Sequence, residues 1–207
     1  MRGMSVDPQL RQRLQEITDT CIGDRGNEQL SCIEQLGHEY PHSISLIQEA
    51  IFGKPETGHF TCFQHAFGLR DLPDPVQKIT EQHSDVFVGS SFAKWLANSA
   101  LQETDCNLAR EGDLVLYFQD GEAKHAAKIC GDSCISKWGF GHLWRHGLLE
   151  VPKDFGSQVR YFRSIPSADA ADAFVGYARE TLGSACVDDI LAVLSPCSDS
   201  GHEVSEE

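Results

Sequence analysis

Apolar positions recur at helical spacing near the start of the chain. Between Pro8 and Cys21, the residues Leu10, Leu14, Ile17 and Cys21 fall on one helical face, and Asp7-Pro8 is a good helix start. A second helix is expected over about 27–37, ended by Gly37, and a third over about 43–52, ended by Gly53 before Pro55. Residues 1–55 thus read as a helical extension packed on a main body. Thr61 suits the N-cap of a short helix that begins at Cys62, with Phe63, Ala66 and Phe67 on its apolar side and Gly68 at its end. The polar, Pro-containing stretch from Asp71 to Asp85 reads as a loop. A helix over about 89–101 follows, turning Phe92, Trp95, Leu96 and Ala100 inward.

The period then changes. Gly112-Asp113 opens a strand at Leu114–Phe118, and Gln119-Asp120-Gly121 is a turn signal. A strand His125–Cys130 turns at Gly131-Asp132 into Ser133–Trp138, which places Ala127 opposite Ser136. Leu148–Val151 and Val159–Arg163 are further strand candidates, and a last helix is expected over about 167–182. Helices followed by an antiparallel run of strands make an α+β order, not an alternating βαβ one. The division expected is a helical extension at 1–55, a main domain at 56–185 and an acidic, mobile tail at 186–207.

Composition narrows the classes. The chain has 207 residues, 41% hydrophobic and 23% charged, enough for one domain with its own core. A net charge of −14 argues against nucleic acid and anionic membrane surfaces as partners. No apolar run approaches a membrane span, and the N-terminus lacks the apolar stretch of a secretory signal. The expected location is the cytoplasm, or export without a classical signal peptide. The eight cysteines, at 21, 32, 62, 106, 130, 134, 186 and 197, are then best read as free thiols, most of them small buried hydrophobes.

A thiol attacks only as thiolate, and a helix N-terminus or a nearby imidazole lowers its pKa. Cys62 has the first by its position after Thr61, and its own backbone N–H at the helix start could help hold an oxyanion. A base must come from a rigid element elsewhere. His125 begins a strand, and Ala126 and Ala127 after it leave room for a helix to approach. His65 is one helical turn from Cys62 and points along the helix, so it reads as a packing or rim residue. Gln64 is a weaker oxyanion donor.

Three pieces occur in order: Phe60-Thr-Cys-Phe-Gln-His-Ala-Phe-Gly-Leu69, Gly112-Asp-Leu-Val-Leu-Tyr-Phe118 and His125-Ala-Ala-Lys-Ile-Cys-Gly-Asp-Ser-Cys-Ile-Ser136. Together they resemble the NlpC-type branch of the papain-like cysteine peptidases and amidases, over roughly residues 58–138. The resemblance implies a papain-like fold, Cys62 as nucleophile and His125 as general base. The family orients its imidazole with a third polar residue, commonly His, Asn or Asp, on the next strand; Ser136 occupies that position here. A serine hydroxyl can orient an imidazole but cannot stabilise an imidazolium as a carboxylate would. His142, in Gly139-Phe-Gly-His-Leu-Trp-Arg-His146, is the candidate helper, although that loop reads equally well as an aromatic cap on the sheet.

The function expected is a thiol-dependent hydrolase or acyl transferase acting on a peptide or other amide, with no cofactor. Family members often cut cell-wall peptides; without an export signal or wall-binding module, an intracellular peptidase, a deamidase or an effector delivered by dedicated machinery stays open. Two alternatives stand beside it. One is a catalytically weak or inactive papain-like scaffold that binds a protein partner. The other is a structural zinc site at Cys130, Cys134, His142 and His146, a C-x3-C, H-x3-H series with a spacer shorter than zinc fingers use.

Overall fold

The computed structural model describes residues 7–21, 26–48, 60–138 and 141–192. Helix α1 spans Pro8–Thr20, started by Asp7, whose carboxylate accepts from the Gln9 N–H at 2.8 Å. Helix α2 spans Gly26–Glu39. The chain then forms β1 (Ser45–Gln48), where a third helix was expected over 43–52. The carboxylate of Glu150 accepts both the N–H and the hydroxyl of Ser43, at 3.0 and 2.5 Å. That anchor lies just ahead of the strand, and Leu46 pairs opposite Trp144 in the sheet. Residues 49–52 of the expected helix lie outside the described residues.

After Phe60 come three helices: α3 (Cys62–Ala66), α4 (Asp74–Gln82) and α5 (Ser90–Ser99). Helix α4 lies in the stretch read as a loop. Pro75 is in its first turn, where a fixed φ and a missing N–H cost nothing, and Val76 and Ile79, one turn apart, are fully buried. The strands are β2 (Glu103–Thr104), β3 (Leu114–Gln119), β4 (Glu122–Cys130), β5 (Ser133–Lys137), β6 (Leu143–His146) and β7 (Gln158–Phe162). The strand expected at Leu148–Val151 is a turn instead, closed by Glu150 N–H to Gly147 O at 3.0 Å, and β6 precedes it. Helices α6 (Ser167–Leu182) and α7 (Ser184–Ala192) end the described chain. Helix α7 runs into the stretch assigned to the tail and buries Val187 and Ile190 in the core. Residues 193–207, with Cys197, lie outside the described residues.

The fold is α+β. All strand pairs are antiparallel in one sheet of order β1-β6-β5-β4-β3-β7-β2. Helices α3 to α7 pack on one face, where Phe67, Phe92, Leu96 and Phe174 meet Leu114, Leu116, Ala126 and Phe162. Helices α1 and α2 cover the other, where Leu14, Ile33 and Leu36 meet Val115, Tyr117, Trp138 and Trp144. The helical extension is therefore a layer of the main body, and its strand β1 an edge of the same sheet. Among the described residues no helix is long and apolar enough to cross a membrane.

Two features of the sheet position the candidate site. The register between β3 and β4 shifts at Tyr117/Phe118: Phe118 faces Ala123, Tyr117 faces His125, and Lys124 is left over as a bulge. Second, β5 pairs with β4 only from Cys130↔Ser133 to Lys128↔Ile135, whereas its pairing with β6 continues to Lys137. The β4–β5 ladder ends there, and α3 packs against both strands.

Asp113 fastens the entry to β3. Its carboxylate accepts from Arg110 N–H (2.9 Å), Ser164 N–H (3.1 Å) and Arg163 Nη1 (2.8 Å). Burial works to raise its pKa, but these donors and the Arg163 charge hold it below the usual value. Asp113→Ala is expected to cost about 3 kcal/mol, since it leaves two backbone N–H groups and a guanidinium without their shared acceptor. Urea unfolding should show a lower midpoint at unchanged slope; a change under about 0.5 kcal/mol would contradict this role.

Candidate active site

Helix α3 is only five residues long, and its start is held by a capping box. Thr61 Oγ1 accepts from the Gln64 N–H at 3.2 Å, and Gln64 Oε1 accepts from the Thr61 N–H at 2.7 Å. The amide oxygen of Gln64 is thus tied into the cap. The Thr61 hydroxyl donates to Val88 O at 3.3 Å. Cys62 is the first residue inside this cap, as its sequence position suggested. Burial pushes its thiol up to about 11; the N–H groups of Ala126, Phe63 and Cys62 itself, and the Lys137 ammonium, favour the anion without offsetting burial.

His125 does not meet that thiol. Its ring is 1% exposed, stacks on Phe155 (4.1 Å between centroids, 25° between planes) and lies beside Tyr117 at 5.4 Å. Successive strand residues face opposite ways. Ala126 faces α3 with Cys62, and His125 faces the layer of α1 and α2. The bulge at Lys124 is the physical cause, because it shifts the alternation by one. The two groups nevertheless border one peptide unit: the N–H facing the sulfur is that of the His125–Ala126 bond. Burial holds the His125 pKa well below its usual value, helped by His146 and His65, so the ring is neutral. Its Nε2 is buried with no hydrogen-bond partner among the described residues.

Ser136 shares the face of His125, but its partner is another histidine. Ser136 Oγ lies 2.7 Å from His146 Nε2, while His146 Nδ1 lies 2.8 Å from Gly147 O. A carbonyl can only accept, so Nδ1 carries the proton and Nε2 accepts a hydrogen bond from the Ser136 hydroxyl. Burial lowers the pKa of His146 to about 4. His142 is buried edge-on to Trp144 (5.6 Å, 81°), within the aromatic layer.

The zinc set does not converge. In the β4–β5 hairpin, Cys130 pairs with Ser133 and Cys134 with Ile129, so the two cysteines face opposite sides of the sheet. Cys130 accepts from Arg145 Nη1 at 3.1 Å. Among the described residues no three His, Cys, Asp or Glu side chains form a metal site.

Lys137 escaped notice in the sequence. It is 1% exposed, its Nζ donates to Gly141 O at 2.6 Å, and it sits 4.5 Å from the Phe60 ring centroid. Burial lowers its pKa to about 8, with Arg70 adding to the effect and Cys62 opposing it. A lysine between two inward-turning neighbours, Ser136 and Trp138, at the end of a strand was the available signal. A cleft of about 470 Å³ lies elsewhere, lined by Arg11, Gln12, Phe118, Asp120, Lys153 and Gln158 among others, and by none of these site residues.

No family model, curated protein or solved structure matches the chain.

Ser136→Ala should cost about 1–2 kcal/mol through the buried acceptor left on His146, and leave the reactivity of Cys62 unchanged. Slower alkylation of Cys62 at unchanged stability would instead tie Ser136 to the thiol chemistry. The neutral burial of His146 carries a pH dependence. Its folded pKa, about 4, lies below the unfolded 6.5, so the unfolded chain binds more protons between those values. Stability is therefore full above pH 6.5 and falls as pH drops towards 4, by up to about 1.4 kcal/mol per unit from this group. Urea midpoints at pH 7, 6 and 5 test this; equal midpoints would exclude it.

Proposed function

We propose that the chain is a thiol-dependent hydrolase or acyl transferase acting on an amide, with a papain-like arrangement of Cys62 as nucleophile and His125 as general base. The observation that carries the reading is the seating of Cys62: first residue of a capped helix, with the N–H groups of Cys62, Phe63 and Ala126 facing its sulfur. Those dipoles favour negative charge on the sulfur and on a carbonyl oxygen bound beside it.

In this reading the imidazole leaves Phe155 and turns towards the thiol past the end of the β4–β5 ladder. It takes the thiol proton, and each charge then stabilises the other. The sulfur attacks the carbonyl carbon, a C–S bond forms, and the C–N bond breaks as the imidazolium returns its proton to the leaving amine. Water, or another acceptor, then cleaves the thioester and frees the thiol.

The non-catalytic reading is favoured by one specific observation. With the ring away and the thiol at about 11, only about one part in ten thousand of Cys62 is thiolate at pH 7. Such a site would serve as a binding cleft.

Iodoacetamide labelling of Cys62 at pH 6, read by peptide mass spectrometry, separates the two. The enzyme reading expects labelling at least tenfold faster than for the same cysteine in the urea-unfolded chain, and its loss in His125→Ala. Labelling no faster than in the unfolded chain rejects the enzyme reading.

A further inference from the structure

We infer that the sheet face beside Cys62 binds a carboxylate, so that the amide attacked there carries an acidic group close to the scissile bond. The inference rests on the thiol-hydrolase reading for the bond cleaved, and on four cations for the acid.

Strand register puts three of them on one surface. Lys128 of β4 and Arg145 of β6 both stand opposite Ile135 of β5, and Lys137 lies two residues further along β5. With a period of two, all three face the α3 side, where Cys62 lies. Arg70 arrives from the turn after α3 and places its guanidinium carbon 4.1 Å from the centroid of the Phe60 ring, the ring that Lys137 also approaches.

Among the described residues none of the four meets a carboxylate. Lys137 donates to Gly141 O, Arg145 to Cys130 Sγ and Ser133 Oγ, and Arg70 to Gln48 Oε1; the Lys128 ammonium has neither hydrogen bond nor ion pair among the described residues. Elsewhere Arg13, Arg160, Arg163, Arg179 and Lys94 pair with acids, and Arg11 donates to backbone carbonyls; what sets the four apart is that strand register and the Phe60 ring gather them on one face. In a chain of net charge −14, four cations on one side of a candidate nucleophile that meet no acid among the described residues form a local cluster of positive charge.

His65 sits among them. Both its ring nitrogens are buried without a hydrogen-bond partner among the described residues. Burial, then Lys128, Arg70 and Lys137, lower its pKa to about 4, so it adds no charge but can donate one N–H. A carboxylate here would accept that N–H and offset the cations. The Debye length at physiological salt is about 8 Å, so the distant acidic surface does little to oppose it.

The test compares two alkylating agents of nearly equal size on the full chain at pH 7: anionic iodoacetate and neutral iodoacetamide. The ratio of their rates at Cys62 is referred to the same cysteine in the urea-unfolded chain. A ratio raised about tenfold by folding, and returned to the unfolded value by Lys128→Met with Lys137→Met, is expected. Fast iodoacetamide labelling with no iodoacetate preference overturns the carboxylate site and leaves the hydrolase reading standing. If both agents label slowly, a second measurement decides: acetylation of the half-buried Lys128 in the wild-type chain with and without glutarate. Protection of Lys128 relative to Lys124 supports the carboxylate site while the hydrolase reading fails; no protection at any glutarate concentration overturns the site.

Discussion

One unpaired residue decides which layer the central strand's side chains join. Lys124 is the extra residue of a β-bulge, and side chains in a strand alternate. Before the bulge Ala123 faces α3. Without the bulge His125, two residues on, would share that face with Cys62. With it, Ala126 takes the place and His125 joins Tyr117 and Phe155. The bulge is held from both sides. Helix α5 grips the strand ahead of it: the Ser90 hydroxyl donates to Ala123 O, and Lys94 pairs with Glu122. Behind it, the Tyr117 hydroxyl donates to Leu148 O at 2.7 Å, fixing the residue opposite His125.

That parity divides the polar groups by layer. The face of α1 and α2 buries His125, the Ser136–His146 pair and the indoles of Trp138 and Trp144, with the Glu150 carboxylate at its edge. A neutral imidazole in such a layer costs less than an imidazolium, which is why burial depresses His125 and His146 together. The face of α3 holds a buried ammonium. Lys137 is nearly as buried as His125, yet it keeps Gly141 O and the face of Phe60, the two kinds of partner that make a desolvated ammonium tolerable. A negative charge on the Cys62 sulfur would therefore have a cation on its own side of the sheet and an imidazole on the other.

Much of this framework was legible where one residue's physics settles the matter. Asp7-Pro8 fixes the start of α1, Thr61 the start of α3, and Gly131-Asp132 the β4–β5 register that puts Cys130 and Cys134 on opposite faces. Elements that depend on distant partners were not legible. Ser45–Gln48 is a strand because β6 pairs with it and Glu150 pins Ser43, neither of which local composition records. Pro73 and Pro75 read as loop signals but serve as the entry to α4, since proline suits a first helical turn as well as a coil.

The bulge was the least legible feature, and it matters most to the site. Glu122-Ala-Lys-His-Ala-Ala-Lys-Ile-Cys130 contains two adjacent alanines, each small enough to lie under a helix or against a second layer. An unbroken alternation through Ala126 and Ala127 permits either face for His125, and only the partner strand removes the ambiguity. Leu116 and Phe118 both belong to the α3 face, and they stand opposite Ala126 and Ala123, residues three apart rather than two. Two positions on one strand matched to three on the next require a bulge. The apolar demand of the α3 layer for both alanines, more than any preference of the histidine, therefore turns His125 away from Cys62.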